Sequence, residues 1–366
     1  MSSGRDLPVP SSRKVWPRLV LTGALITTLA GCTIAGPGAI RSGRLAYNEA
    51  IRETNNQQML LVPVHNRYEE SNQLLGVASV TANVSVSSRA QFEAGLGSSD
   101  NYEGNLVPFS GGFIYEENPT ISYKPVSGEA YIQQLMSPIP VSIFAQISRI
   151  PTDPAFVYSM MVSSINGIRN PAWRYDDQQD DPRFDRVVAL MVSLQRQQSL
   201  EWVSESSGEL GLLFRNPHSD ARVNELLDLL GIEQKPSTTA SLTLPVTLSL
   251  GGDTDGIGIT TRSLWDLIEI LSSAVAVPAE DMSSGRAASF PDPGRAGRAL
   301  SIHYSDSQPE DAYVAASFRD GWFYIGDTDL ETKRYFKIMG SLWSAAIAKS
   351  LGEGAASPIL TVPVSR

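Results

Sequence analysis

Apolar and small polar residues alternate without interruption from 241 to 250. Leu242, Leu244, Val246, Leu248 and Leu250 fall on one face, and serine, threonine and Pro245 on the other. A period of two predicts a half-buried strand, and Pro245, which has no N–H for a ladder, predicts an edge position or a bulge. Val80, Ala82, Val84 and Val86 alternate with Thr81, Asn83 and Ser85, which predicts one strand over 77–86. Further strands are expected over 113–123, interrupted at Asn118 and Pro119, over 210–214 and over 359–364. Apolar runs over 312–318 and 322–325 flank Arg319, Asp320 and Gly321, and Asp-Gly between such runs signals a hairpin.

Helical spacing marks the rest. Residues 44–60 place Tyr47, Ala50 and Ile51 on one side, and Pro63 is expected to end that helix. A helix over 127–136 stops at the Ser-Pro-Ile-Pro of 137–140. Asp153 and Pro154 open another, which carries apolar residues at helical spacing to Ile168 and stops at Asn170-Pro171. Phe184, Val187, Val188, Met191 and Leu194 form an apolar stripe. A short helix over 223–230 closes at Gly231, and a longer one covers 262–277. Thr328 and Glu331 read as a capping box for a helix carrying Tyr335, Phe336, Met339, Leu342 and Trp343 on one face. No period of 20 to 50 residues recurs, so a solenoid is not expected. Irregularly mixed helices and strands with an antiparallel hairpin predict the α+β class.

The first 31 residues stand apart from this pattern. Arg13, Lys14 and Arg18 precede a mostly apolar run from Leu19 to Ala30, long enough for a signal peptide and too short to span a bilayer. The run ends in Leu29-Ala30-Gly31-Cys32. This resembles the lipobox of bacterial lipoproteins, whose cysteine thiol receives a diacylglycerol, whose signal peptide is cut before the cysteine, and whose new N-terminus gains a further chain. The resemblance implies that Cys32 is the lipidation site. Residue 33 is Thr rather than the Asp that retains such lipoproteins in the inner membrane, which implies an outer-membrane anchor facing the periplasm of a diderm envelope. Residues 1–31 are then a removable signal peptide, 32–43 a lipidated flexible tether and 44–366 one globular α+β domain.

Charge and composition narrow the function. The chain has one cysteine in 366 residues, so neither an internal disulfide nor a Cys-based zinc site can form. Beyond residue 31 it holds 25 Lys and Arg against 38 Asp and Glu, a net charge of −13 that disfavours nucleic acid as a partner. Arg286, Arg295 and Arg298 are the nearest approach to a basic cluster, in a Gly/Ser/Pro-rich stretch that reads as a solvated loop.

Catalytic motifs are absent: there is no G-x-S-x-G elbow, phosphate loop, complete G-x-G-x-x-G or H-E-x-x-H. His65, His218 and His303 lie far apart. Asp176, Asp177, Asp180, Asp181 and Asp185 crowd one stretch, and Asp253 and Asp255 precede Gly256, but neither group has the spacing of a Ca²⁺ loop. Solvated turns and helix N-terminal charges explain them as well. No cofactor or metal site is therefore assigned. The aromatic side chains Trp322 and Tyr324, with Trp173 and Tyr175, are candidate contacts for an envelope protein partner, since aromatics are enriched at interface hot spots; the alternative is that they cap the core.

Segments at 44–61, 118–140, 165–171, 320–336 and 360–364 resemble the recurring blocks of a large family of bacterial lipoproteins to which no activity is assigned. They span nearly the whole chain beyond the tether, which implies one co-inherited domain and transfers no catalytic residue. Two functions are expected to compete. One is a non-enzymatic structural or protein-interaction component anchored in the envelope. The other is a hydrolase or ligand-binding lipoprotein acting on periplasmic glycan or peptide through the carboxylates of 176–185.

Overall fold

The computed structural model describes residues 45–71, 74–81, 84–91, 110–117, 120–126, 129–149, 153–171, 181–204, 209–233, 240–248, 255–290, 297–353 and 360–363. Cys32 and the tether lie outside the described residues. Two units divide the chain, Met1–Asn55 and Asn56–Arg366. In the first, residues 45–55 are helical. The second is an α+β unit, as the mixed pattern predicts.

Its first helix, α1, covers residues 56–67 and passes through Pro63 instead of stopping there. A proline inside a helix costs about 3 kcal/mol through its missing N–H and a clash with the preceding turn. Here Val62, Val64 and Tyr68 are 3%, 0% and 5% exposed. Burying each such side chain contributes about 1.5–3 kcal/mol, so tertiary packing outweighs the local penalty.

β1 (Leu74–Thr81) and β2 (Val84–Gln91) replace the single strand expected over 77–86. A period of two cannot register a change of sheet when the same pattern resumes in the next strand. β2 pairs antiparallel with β3 (Ser110–Glu117), whereas β1 pairs antiparallel with β4 (Thr120–Val126). After α2 (Glu129–Met136) comes α3 (Val141–Ser148), which the pattern did not reveal.

Asp153 caps α4 (Pro154–Met161) by accepting the N–H of Phe156 at 3.2 Å. The helix expected to run to 168 ends at Met161. Val162–Ile165 (β5) and Ile168–Arg169 (β6) instead form a hairpin around Asn166 and Gly167, both at positive φ, 44° and 77°. Asn-Gly is the preferred pair for such a type I′ turn, and it overrides apolar spacing that fits a helix equally well.

α5 (Pro182–Arg196) begins at its N-cap Asp181. β7 (Leu200–Ser204) and β8 (Leu210–Arg215) pair antiparallel. α6 (Ala221–Leu229) follows, with Gly231 at φ 69° beyond its end, the left-handed position that favours glycine.

β9 (Ser241–Thr247) and β10 (Ile257–Thr261) complete a sheet of order β6-β5-β10-β9-β8-β7. β9 is therefore interior and its pairing with β8 is regular, so neither the edge position nor the bulge that Pro245 implied is found there. Its parallel pairing to β10 covers only Val246 and Thr247, and Gly256 packs directly on Pro245, so the missing N–H falls where no β10 rung exists. The burial of β9 still alternates along its length, with Leu242, Leu244 and Val246 inside.

α7 (Leu264–Ser273) opens with a capping box of Ser263 and Asp266, so its first residue lies two beyond the expected start at Arg262. Arg262 itself is buried, and its guanidinium donates to the carbonyls of Ser159 at 2.7 Å and Met160 at 2.9 Å. It thereby ties α7 to the C-terminal carbonyls of α4, where a cation is favoured. Burial lowers its pKa to about 10.

After the short helix α8 (Ala279–Ser283), β11 (His303–Ser305), β12 (Ala312–Phe318) and β13 (Gly321–Gly326) form an antiparallel sheet of order β11-β13-β12. α9 (Leu330–Glu353) follows, capped by Asp329, which accepts the N–H of Thr332 at 3.0 Å, rather than by Thr328. β14 (Leu360–Pro363) pairs with β4. Phe144, Tyr158, Phe184, Phe214, Phe323 and Phe336 are among the side chains fully buried in the core.

Candidate interaction surface

Alternation in β13 buries Gly321, Phe323 and Ile325 and leaves Trp322 and Tyr324 half-buried on the opposite face. Two residues apart on one strand, their Cα atoms stand about 6.8 Å apart. Strand register then fixes their neighbours. On the β11 side Ser305 lies opposite Trp322 and His303 opposite Tyr324; on the β12 side these places belong to Ser317 and Ala315. The His303 and Tyr324 rings meet at 5.2 Å between centroids, tilted by 36°. The outer face is thus a short aromatic strip flanked toward β12 by small side chains.

The strip ends at the hairpin. Its loop residues are Arg319 and Asp320, with Gly321 already in β13 and paired to Phe318. Arg319 takes φ 52°. Its guanidinium lies 4.4 Å from the Tyr68 ring and pairs with Glu70 at 2.7 Å. Beneath Gly321 the Tyr304 ring packs so closely that no Cβ could be accommodated. Burial, then a hydrogen bond to Asp306 and the charges of Asp306, Asp281 and Asp320, push the Tyr304 hydroxyl above its ordinary pKa. Asp281 also accepts the Tyr68 hydroxyl at 2.7 Å and is held below the usual carboxylate range, chiefly by that bond.

Negative charge concentrates around this sheet. Between Ser301 and Arg334 there are seven carboxylates and three cations. Each cation is already engaged: Arg319 with Glu70, Lys333 with Asp327, and Arg334 with Asp153. Asp306, Glu310, Asp311 and Asp320 are exposed at the loops that border the strip.

No family model, curated protein or solved structure matches the chain. The reading of this surface therefore rests on its own chemistry.

The other candidates are distributed elsewhere. Trp173, Tyr175, Asp176, Asp177, Asp180, Asp253 and Arg295 lie outside the described residues. Asp181 caps α5 and is held by Arg183, whose hydrogen bonds lower the carboxyl pKa. Asp185 falls in the first turn of α5. Asp255 is exposed just before β10. His65 packs against Phe318 at 5.0 Å, His218 is exposed in a single 3₁₀ turn, and His303 lies on β11, so the three histidines do not converge. Arg286 is bound to Asp281 and Glu280. Among the described residues, no three His, Cys, Asp or Glu side chains are grouped to hold a metal ion.

A polar cleft of about 810 Å³ lies beside the ends of β7 and β8. Its carboxylates are paired, Glu201 with Arg215 at 2.7 Å and Asp220 with Arg222. Both are held below the ordinary carboxylate range by those hydrogen bonds. A general acid needs the opposite shift. A second groove of about 560 Å³ runs between α3 and the ends of β7–β9, with Leu248 56% exposed at its rim.

The sequence pattern brought Trp322 and Tyr324 to one face but missed His303, Ser305 and the carboxylate border. His303 and Ser305 are themselves spaced by two, and that short alternation was the available signal.

Proposed function

We propose that this chain is a lipid-anchored component of the bacterial cell envelope whose α+β unit docks on a partner protein. The observation that carries the reading is the run ending in Leu29-Ala30-Gly31-Cys32 behind a basic segment. Acylation of Cys32 would bury about 0.8 kcal/mol per methylene, so two or three chains give a permanent anchor. Removal of residues 1–31 would leave the tether 32–43, and Thr33 favours the outer membrane facing the periplasm. Among the described residues no helix is long and apolar enough to cross a membrane. The docking face we assign is the Trp322 and Tyr324 strip, where half-buried rings lie beside small residues.

The test is metabolic labelling with palmitate of the wild type and of Cys32→Ser in a diderm host, followed by fractionation. Label confined to the wild type, with the variant released from the membrane fraction, is expected. Equal labelling of the variant would overturn the anchor. Crosslinking in intact cells tests the docking half: a monomer with no crosslinked species would overturn it.

A hydrolase acting through the carboxylates of 176–185 gains no support from Asp181, which is spent on the α5 cap and on Arg183.

A further inference from the structure

We infer that the β11-β13-β12 sheet takes its partner as an extended, Lys- or Arg-bearing segment added along β12. This rests on the docking reading above and names the chemistry of the partner. Three observations converge on it.

The first is the edge itself. β12 carries Ala312, Tyr313, Val314, Ala315, Ala316, Ser317 and Phe318, seven residues without a charge or a proline. Among the described residues its backbone hydrogen-bonds only to β13. Edge strands are normally blunted by lysine, proline, a bulge or a covering element; the irregularity of β12 lies at its start, between Ala312 and Val314, and the regular run Val314–Phe318 remains a template for a further strand.

The second is the lateral path to the rings. A strand added at β12 lies about 4.8 Å beyond it, two strand spacings from β13. The residues between are Ala315, level with Tyr324, and Ser317, level with Trp322. Side chains this small leave room for a long side chain of the added strand to reach toward the half-buried rings. A cation within about 6 Å of such a ring is attracted by its face.

The third is the sign of the surroundings. Asp306, Glu310, Asp311 and Asp320 border the strip, while Arg319, Lys333 and Arg334 are engaged in ion pairs. An anionic segment meets repulsion there, and a neutral one gains nothing from the border. A cationic strand satisfies backbone edge, rings and carboxylates together.

The experiment uses the full chain in detergent and fluorescence anisotropy of labelled octapeptides of alternating Lys and Val, alternating Glu and Val, and Lys and Val with alternate N-methylated amides. The Lys-Val peptide is expected to bind, weakening severalfold between about 50 and 500 mM salt as screening grows. Glu-Val and the N-methylated peptide are expected not to bind. Trp322→Ala and Tyr324→Ala should each weaken binding by about two- to fivefold, the size of one cation–π contact. Ala315→Lys, which places a charge in the lateral path while leaving the sheet face otherwise unchanged, should weaken it more than tenfold. Equal binding of Glu-Val, full binding of the N-methylated peptide, or indifference to Ala315→Lys would each overturn the inference. So would a dimer that Ala315→Lys dissociates, because the occupant would then be a second copy. A photocrosslinker at Ser317 in intact cells separates the two levels. Capture of a partner with no peptide binding leaves docking standing and removes the cationic strand, whereas neither capture nor peptide binding removes both.

Discussion

Replacing Asn166 tests how much of the six-stranded sheet depends on one turn. Its side-chain amide donates to the carbonyls of Leu230 at 2.9 Å and Gly256 at 3.3 Å, and its side-chain oxygen accepts the N–H of Gly258 at 2.6 Å. These bonds join the β5–β6 hairpin to the end of α6 and the start of β10. Asn166→Ala removes all three. Each contributes about 0.5–1.5 kcal/mol net, and the buried groups left behind add to the cost. Alanine at φ 44° adds about 1 kcal/mol that asparagine tolerates better. The expected loss is about 3–5 kcal/mol in urea unfolding. Asn166→Gly removes the same bonds but relieves the positive φ, so it should be the more stable of the two by about 1 kcal/mol. A loss under about 1 kcal/mol for alanine would refute the bonding argument. Glycine no more stable than alanine would refute the conformational one.

Three further outcomes follow from the core and the hairpin. Gly321→Ala places a methyl on the Tyr304 ring and should cost about 1–3 kcal/mol in urea unfolding, while Gly326→Ala, with open space around its Cα, should cost less. Arg262→Met leaves the carbonyls of Ser159 and Met160 without their donor, and the loss of about 2–4 kcal/mol, net of the guanidinium no longer buried, should appear as a lower unfolding midpoint. Burial raises the hydroxyl pKa of Tyr68, Tyr131, Tyr158 and Tyr335 above the ordinary value near 10. Above about pH 10 the unfolded chain therefore loses protons that the folded one keeps, and stability present below that pH should fall as pH rises, against a smaller opposite contribution from Arg262. Urea midpoints that stay flat between about pH 8 and pH 11 would contradict this.

Much of the secondary structure was legible because local chemistry and burial agreed. Asp153 and Pro154 opened α4, the hairpin joined β12 to β13, and period two in β9 matched its buried leucines. The departures at Pro63 and Pro245 share one cause, which is that tertiary neighbours override a single residue's local preference. Pro63 continues a helix because the side chains around it are buried, and Pro245 sits inside a sheet because the next strand begins its pairing one residue later. The hairpin at Asn166 departs from the pattern for the converse reason. Apolar spacing through Ser164, Ile165 and Ile168 fits a helix and a buried hairpin alike, and the Asn-Gly pair at positive φ decides between them.

The interaction surface shows a different limit. Alternation alone puts Trp322 and Tyr324 on one face of a strand, but it does not say what stands beside them. Register supplies that: Ala315 and Ser317 level with the rings on one side, His303 and Ser305 on the other. Had β12 placed large side chains at 315 and 317, the rings would be enclosed and the plain reading of core caps would suffice. A net charge of −13 beyond residue 31 likewise disfavours nucleic acid without selecting a partner. It becomes selective where the cations near the sheet are already engaged and the exposed carboxylates are not balanced by any of them. An acidic protein can repel most polyanions and still be indifferent to its other neighbours. An open, uncharged edge next to half-buried rings and unbalanced carboxylates is not indifferent, because it favours one backbone geometry and one sign of charge at the same place.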